Sequence, residues 1–495
     1  MLLLGIDLGT SSVKVTVVNS QTQTVIASVQ YPDTEVPIIS LQAGWAEQVP
    51  EEWWNMVQQA ILLCHSTKKY NPKDISSIGI AYQMHGLVLV NKDQKVLHNA
   101  IIWCDSRAVT IGEYAYDSLG HQQTLEHLLN SPGNFTASKL AWIKKNKKEV
   151  FDQIDKILLP GDFIAMKLTG TISTTVAALS EGVFWDFKLN CLSKAILDYF
   201  DFPESIFPEI KSLFGSHGTI KSSVADSLNL NNHVTITYKA GDQPNNAFSL
   251  NVLNPGDVAA NAGTSGVIYG VSNQLKYDLE SRINSFAHVN HSNQDPRIGV
   301  LLCINGTGIF NKWVKQIVGD DFNYESINRA ASNIELGANG LLAMPFGNGA
   351  ERMLGNKTIG AHFSTIDFNI HTTAHLFRAT QESIAFAMRY GLDIMRNNGI
   401  NPSLVKANKT NLFLSELFTQ AFASVNNVSV EFYEGDGSYG AAIGAGIGAG
   451  IYFNSDEAFS LRKPIEIIHP KHVDQYQAIY ENWKIVLNQQ LNNFK

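Results

Sequence analysis

The sequence predicts an α/β fold built from two related domains that face each other. At 495 residues the chain exceeds one ordinary core, since domains usually run to ~100–200 residues. A strand, a Gly-Thr-Ser turn and a second strand occupy residues 5–18, and the same order returns at residues 257–269. Short apolar strand patterns and amphipathic helical patterns are interspersed along both halves.

The elements follow in order. Leu2 to Asp7 is an apolar run ending in a carboxylate, and Gly9-Thr10-Ser11-Ser12 punctuates it. Val13 to Val18 alternates as a strand should, Asn19 to Gln23 is a turn, and Val25 to Tyr31 completes a β-meander. Pro50-Glu51-Glu52 opens an amphipathic helix through Cys64, with acids where the helix dipole favours them. Ile75 to Ile80 is a strand that leads to Gln83-Met84-His85-Gly86, and Val88–Val90 and Ile101–Trp103 add short strands. Residues 137–170 read as mainly helical. Val234 to Tyr238 is a strand running into Ala240-Gly241-Asp242-Gln243. Asp257–Ala262 and Val267–Tyr269 flank Gly263-Thr264-Ser265-Gly266. Residues 370–398 and 414–425 are helical, and Ser438 to Ile451 is a Gly/Ala-rich helix whose small residues permit close backbone approach. A final amphipathic helix begins near Asp474. The expected division is 1–244, 245–450 and a helical tail, 451–495.

Composition narrows the function. A net charge of −8 and the absence of a dense Lys/Arg block argue against a nucleic-acid partner. The longest small-apolar stretch, Ala441 to Tyr452, is too short for a bilayer, which needs ~20 residues. MLLLGIDLGT lacks a basic n-region, and Asp7 interrupts its apolar run, so export is not expected. Cys64, Cys104, Cys191 and Cys303 show no metal-ligand or redox spacing and read as reduced thiols of a cytoplasmic protein.

Four constellations carry chemistry. In Gly5 to Lys14, glycine lets backbone N–H groups approach an anion, Thr and Ser hydroxyls add donors, and Asp7 at the strand end can hold Mg²⁺. Lys14 suits a transferring phosphoryl group. Ala262 to Gly266 repeats that rationale; either turn alone is equally an ordinary polar hairpin. Asp242, at the end of a core strand beside Gly241, is placed to accept a hydroxyl proton during phosphoryl transfer, or simply to cap the next helix. Gln83-Met84-His85-Gly86 and Trp103-Cys104-Asp105-Ser106-Arg107 offer donors, acceptors and a flat wall to a polyhydroxylated ligand. The plainer readings are a core histidine, a surface Asp105–Arg107 salt bridge, and packing for Trp45.

Together these segments resemble the FGGY family of carbohydrate kinases, and within it the xylulokinases. The resemblance rests on GIDLGTSSVKV, GWAEQVPEEWW, IGIAYQMHGLVLV, AIIWCDSRA, LLPGDFIAMKLTG, AGDQPNNA and ANAGTSGV, in the family's order over about residues 1–450. It implies two ribonuclease-H-like, actin/hexokinase-type domains with the active site in the cleft between them. The first would be the sugar side and the second the nucleotide side. It further implies Asp242 as general base, and Met84, His85, Gln83 and Asp105 toward the sugar. Thr10, Ser11, Ser12, Gly263, Thr264 and Gly308 would serve the nucleotide and its phosphates, and Asp7 the metal. The implied partners are ATP, Mg²⁺ and D-xylulose, converted to D-xylulose 5-phosphate, with a homodimer as the common assembly.

Two segments depart from the family pattern. Ala407 to Leu417 lacks the usual glycine pair near the adenine, and Asn348-Gly349-Ala350-Glu351-Arg352 matches a Gly-Glu-Arg segment only loosely. Competing readings are another sugar or polyol kinase of the family, such as a gluconokinase, for which Arg107 would offer a cation, and a non-catalytic actin-fold sugar sensor.

Overall fold

The first hairpin grows into a five-stranded sheet. The computed structural model describes residues 1–319 and 323–493. Strands β1 (Leu2–Leu8), β2 (Val13–Asn19), β3 (Val25–Tyr31), β4 (Ile75–Tyr82) and β5 (Thr235–Gly241) lie in the order β5-β4-β1-β2-β3. The meander β1-β2-β3 is antiparallel, whereas β4 and β5 join it in parallel. β1 is buried almost throughout, the pattern of a strand covered on both faces.

The second hairpin does the same. Strands β6 (Val258–Ala262), β7 (Gly266–Ser272), β8 (Asn284–Ala287), β9 (Ile298–Ile304), β10 (Leu404–Asn408), β11 (Ser429–Tyr433) and β12 (Glu466–Ile468) are ordered β8-β9-β7-β6-β10-β11-β12. β6 pairs antiparallel with β7 and parallel with β10, as β1 does with β2 and β4. The five central strands therefore repeat the topology of the first sheet, which is the two-domain actin/hexokinase-type arrangement.

The helices that matter for the site are α1 (Pro50–Ser66), α2 (Thr136–Asn146), α3 (Pro160–Thr169), α4 (Val176–Glu181), α5 (Asp242–Ser249), α6 (Gly308–Val318), α7 (Thr373–Asn397), α8 (Glu416–Asn426), α9 (Gly437–Gly448) and α10 (Val473–Asn493). The stretch 137–170, expected to be mainly helical, is broken by a short strand, Lys156–Leu158. Pro160 is the cause: it forces Leu159 into extended backbone (ψ 166°) and can only begin a helix.

α1 covers the β2–β3 side of the first sheet, and α9, from near the other end of the chain, covers β1, β2, β4 and β5. α9 lies directly on strand backbone. A Cβ on Gly5 would overlap the Ser438 carbonyl oxygen, and one on Gly79 would overlap that of Ala441. The tail helix α10 buries Tyr476, Tyr480, Trp483 and Leu487. Tyr480 donates to Asp393 of α7 at 2.9 Å, and Trp483 donates to the Ala343 carbonyl at 2.8 Å. Among the described residues no helix is long and apolar enough to cross a membrane.

Candidate active site

The first turn of α5 and the start of α9 at Gly437 border one cavity of about 330 Å³, lined by Asp7, Lys14, Gln243, Asn261, Asp436 and Asn411, among others. A second cavity, of about 440 Å³, is lined by Gly263, Thr264, Gly308, Tyr324, Asn411 and Leu414. Asn411 borders both. The first cavity draws walls from both sheets, and the second from the β6–β12 lobe alone.

Asp7 reaches this place because β1 ends there, and Lys14 sits opposite it in the hairpin register. Asp436 caps α9, accepting from the Ser438 N–H at 3.0 Å and hydroxyl at 2.6 Å, while its second oxygen lies 3.5 Å from Lys14 Nζ. Burial first, then the charges of Asp436 and Asp242, push the Asp7 carboxyl up to about 7, against the pull of Lys14. Burial pushes the Asp242 carboxyl up to about 6, opposed by hydrogen bonds from Gln243. This surplus of half-buried negative charge suits a cation. No cluster of three or more His, Cys, Asp or Glu groups is arranged to hold a metal among the described residues. A pair of carboxylates that shares its ion with phosphate oxygens is the usual Mg²⁺ pattern, and Asp7 with Asp436 fits it.

The strand end before Asp242 is packed against the loop after β4. A Cβ on Gly241 would collide with Glu181 Oε2 and with Met84 Cγ, so only glycine lets Asp242, Met84 and Glu181 share this corner. His85 holds a left-handed backbone (φ 61°). Its carbonyl accepts from Lys139 Nζ at 2.9 Å, and its Nδ1 donates to the Glu181 carbonyl at 2.9 Å. Burial, then the charge of Lys139, draw its pKa down to about 3, so the ring is neutral and Nε2 remains a bare acceptor.

A polar chain continues from there. Gln83 accepts from the Thr10 hydroxyl at 3.2 Å and donates to Gln48 at 3.0 Å; Trp103 donates to Thr10 at 2.9 Å. Thr10 thus faces Gln83 and Trp103 rather than the phosphate-sized cavity. Ser11 is exposed, the Ser12 carbonyl accepts from Gly9 at 3.0 Å, and neither serine lines either cavity. Gly263, Thr264 and Gly308 do come together: the Gly308 N–H donates to Gly263 at 2.9 Å, and the Thr307 hydroxyl donates to both Gly263 and Thr264.

Asp105 is fully buried. Its oxygens accept from the Ala46 N–H at 2.6 Å and from the Arg107 guanidinium at 2.6–3.0 Å. Arg107 also pairs with Glu47 at 2.7 Å and lies 3.8 Å over the Trp45 ring, so this cation is consumed within the lobe. Trp45 packs edge-on against Trp142 at 5.2 Å.

The sequence profile for the N-terminal domain of the FGGY family of carbohydrate kinases matches residues 2–249. The chain belongs to the FGGY family of carbohydrate kinases. As such it is an enzyme that phosphorylates a carbohydrate at the expense of ATP. The xylulose kinase of Haemophilus influenzae is 29% identical, covering 98% of this chain and 97% of its own. In structure, the chain is similar to the ligand-bound xylulose kinase of Lactobacillus acidophilus (TM-score 0.90, 22% identity, covering 100% of this chain and 99% of that one). It is equally similar to the gluconate kinase of the same organism (TM-score 0.90, 22% identity, the same coverage).

Two groups at this FGGY kinase site were not singled out from sequence. Asp436 lies in Gly435-Asp436-Gly437, an Asp between glycines before a helix, much as Asp242 follows Gly241; that local pattern was the available signal. Glu181 had none. It is buried in Ala178-Leu179-Ser180-Glu181, and its carboxyl is pushed well above the usual range by burial and by Asp242.

Proposed function

We propose that this kinase converts D-xylulose and ATP to D-xylulose 5-phosphate and ADP, with Asp242 as the general base. The observation that carries the base assignment is the position of Asp242. It stands at the carboxyl end of β5, directly after the Gly241 that packs on Met84, close enough to Asp7 to raise that carboxyl, and with its own pKa held at about 6. A base poised just below neutral pH is ionised and still a useful proton acceptor. Asp242 takes the proton of the C5 hydroxyl, that oxygen bonds to the γ-phosphorus, and the bond to the β–γ bridging oxygen breaks to release ADP.

Asp7 and Asp436 would hold Mg²⁺, which supplies charge neutralisation to the phosphates when bound. Lys14 lies beside the same oxygens and would stabilise charge on the transferring group. The N-terminus of α6, with Gly263, Thr264 and Gly308, would receive the nucleotide phosphates, and the cavity lined by Tyr324 and Leu414 the nucleoside. Met84, the Nε2 acceptor of His85, and Gln83 would seat the ketose. In this reading Asp105 contributes through the fixed Arg107 network. Residues 1–244 serve the sugar, 245–450 the nucleotide, and 451–495 brace the core. The same reading places the enzyme in the cytoplasm, as a homodimer.

Xylulose is favoured by the near-full-length relatives named xylulose kinase, at 26–29% identity. A sugar acid gains nothing from Arg107, whose charge is already paired. The test is ADP release with Mg·ATP against D-xylulose, D-ribulose, L-ribulose, glycerol and gluconate, with a no-sugar control. Preference for D-xylulose is expected; preference for another sugar overturns the substrate assignment.

A further inference from the structure

The second lobe brings toward His85 a cation, Arg352, that no carboxylate among the described residues pairs. Arg352 follows Glu351, whose oxygens are occupied by the N–H groups of Asn305 (3.0 and 3.1 Å) and Gly306 (3.2 Å), which ties the segment to the end of β9. Arg352 itself makes no ion pair among the described residues. Among the described residues its one hydrogen bond runs from Nη1 to Asn284 Oδ1 at 2.9 Å. The guanidinium lies 5.9 Å from the centre of the Phe135 ring. Phe135 and Phe286 in turn pack against His85 at 4.9 and 5.4 Å. Its charge reaches His85, where it helps to keep the imidazole neutral.

A guanidinium carries five N–H donors and no acceptor. Partial burial already disfavours this one, drawing its pKa down. A desolvated cation without a partner is costly, and a planar donor fork is matched by oxygen acceptors. Among the described residues Arg352 finds one such oxygen, which leaves donors for a ligand.

We propose that Arg352 is a sugar-binding residue that donates to oxygens at the end of the sugar remote from the transferred phosphoryl group, across the cleft from His85. Met84 abuts Gly241, which precedes Asp242, and marks the reacting end; His85, next in sequence, packs on the Phe135 ring that lies 5.9 Å from the Arg352 guanidinium. Because His85 belongs to the first lobe and Arg352 to the second, one sugar would bridge the two. The proposal rests on the carbohydrate-kinase reading with Asp242 as base. The acceptor could be the carbonyl and hydroxyls of a ketose or the carboxylate of a sugar acid, and the test separates them.

Arg352→Gln and Arg352→Lys in the full chain, assayed with D-xylulose, gluconate and ATP, provide that test. The expected result is a rise of about tenfold or more in KM for the preferred sugar in Arg352→Gln, with KM for ATP within about twofold of wild type. Arg352→Lys, which keeps the charge and serves if the Gln variant does not fold, should recover only part of the loss. Sugar KM within about twofold of wild type in the folded variants, or an equal rise in the KM for ATP, overturns the proposal. A wild type that prefers gluconate and loses it in both variants keeps Arg352 but ends the xylulose assignment. A wild type that prefers D-xylulose with unaffected variants does the reverse.

Discussion

Replacing Asp242 by Asn keeps the shape of the corner against Met84 and Glu181 and removes only the proton acceptor. General-base catalysis contributes about 10²–10⁴-fold, so turnover should fall by that factor while the sugar still binds. The structure adds a second, independent signature. With a pKa of about 6, Asp242 is roughly 90% ionised at pH 7 and roughly 10% at pH 5. The kcat/KM of the wild type should therefore fall about tenfold between those values. The residual activity of the variant should be flat over the same range, because its amide does not titrate. Saturating Mg·ATP keeps Asp7, held near 7, out of the profile. ADP release under limiting D-xylulose gives the rates, and isothermal titration calorimetry gives sugar affinity separately. A variant within tenfold of wild type, or one that shows the same fall toward pH 5, would refute Asp242 as the base.

Other perturbations test other links. Asp7→Asn should stabilise the Mg²⁺-free protein at pH 8, by up to about 4 kcal/mol, because the folded carboxyl is raised to about 7 and prefers its proton. The gain should shrink as pH falls below 7 and vanish below about 3, where both states are protonated; equal melting temperatures at pH 8 would contradict it. Gly79→Ala would drive a Cβ into the Ala441 carbonyl of α9, a backbone clash no rotamer relieves, and should cost about 3 kcal/mol or more in thermal unfolding. Arg107→Ala would strand Glu47 and Asp105 as buried unpaired carboxylates, a loss of about 3–5 kcal/mol read in urea melts. If gluconate turnover fell while stability held, Arg107 would be a ligand instead.

What was legible in the sequence was what is local. The two Gly-Thr-Ser hairpins announce themselves because a tight turn needs its glycine and its strands need their alternation, and they set the repeated topology. Asp242 was legible for the same reason, as a carboxylate at a strand end beside glycine. Arg107 was not, because only the fold brings Glu47 and the Trp45 and Trp142 rings around it; the sequence supports a surface salt bridge equally well. The absent glycine pair near the adenine has a partial explanation in the backbone. Asn411 holds a left-handed conformation (φ 53°), which asparagine tolerates better than most residues, so it stands where glycine would be the easy choice. Its side chain then projects between the two cavities, a difference no hydropathy pattern records.

Asp436 shows most clearly why the site is a product of the whole chain. Its carboxylate is useful only beside Asp7 and Lys14, which precede it by more than four hundred residues. What brings it there is the run of glycine and alanine in α9. Those residues were legible as a close-packing surface, but the surface they pack against, Gly5 and Gly79 of the first sheet, was not. The glycines on both sides remove the side chains that would hold helix and sheet apart, so the N-terminus of α9 is fixed against the end of β1 by backbone contact. The cap of that helix is therefore also a wall of the phosphate-sized cavity. A substitution that lifts α9 from the sheet should thus act on phosphate and metal binding before it acts on the sugar. Asp436 moves with the helix, while His85 is held by Glu181 and Lys139, which belong to α4 and α2.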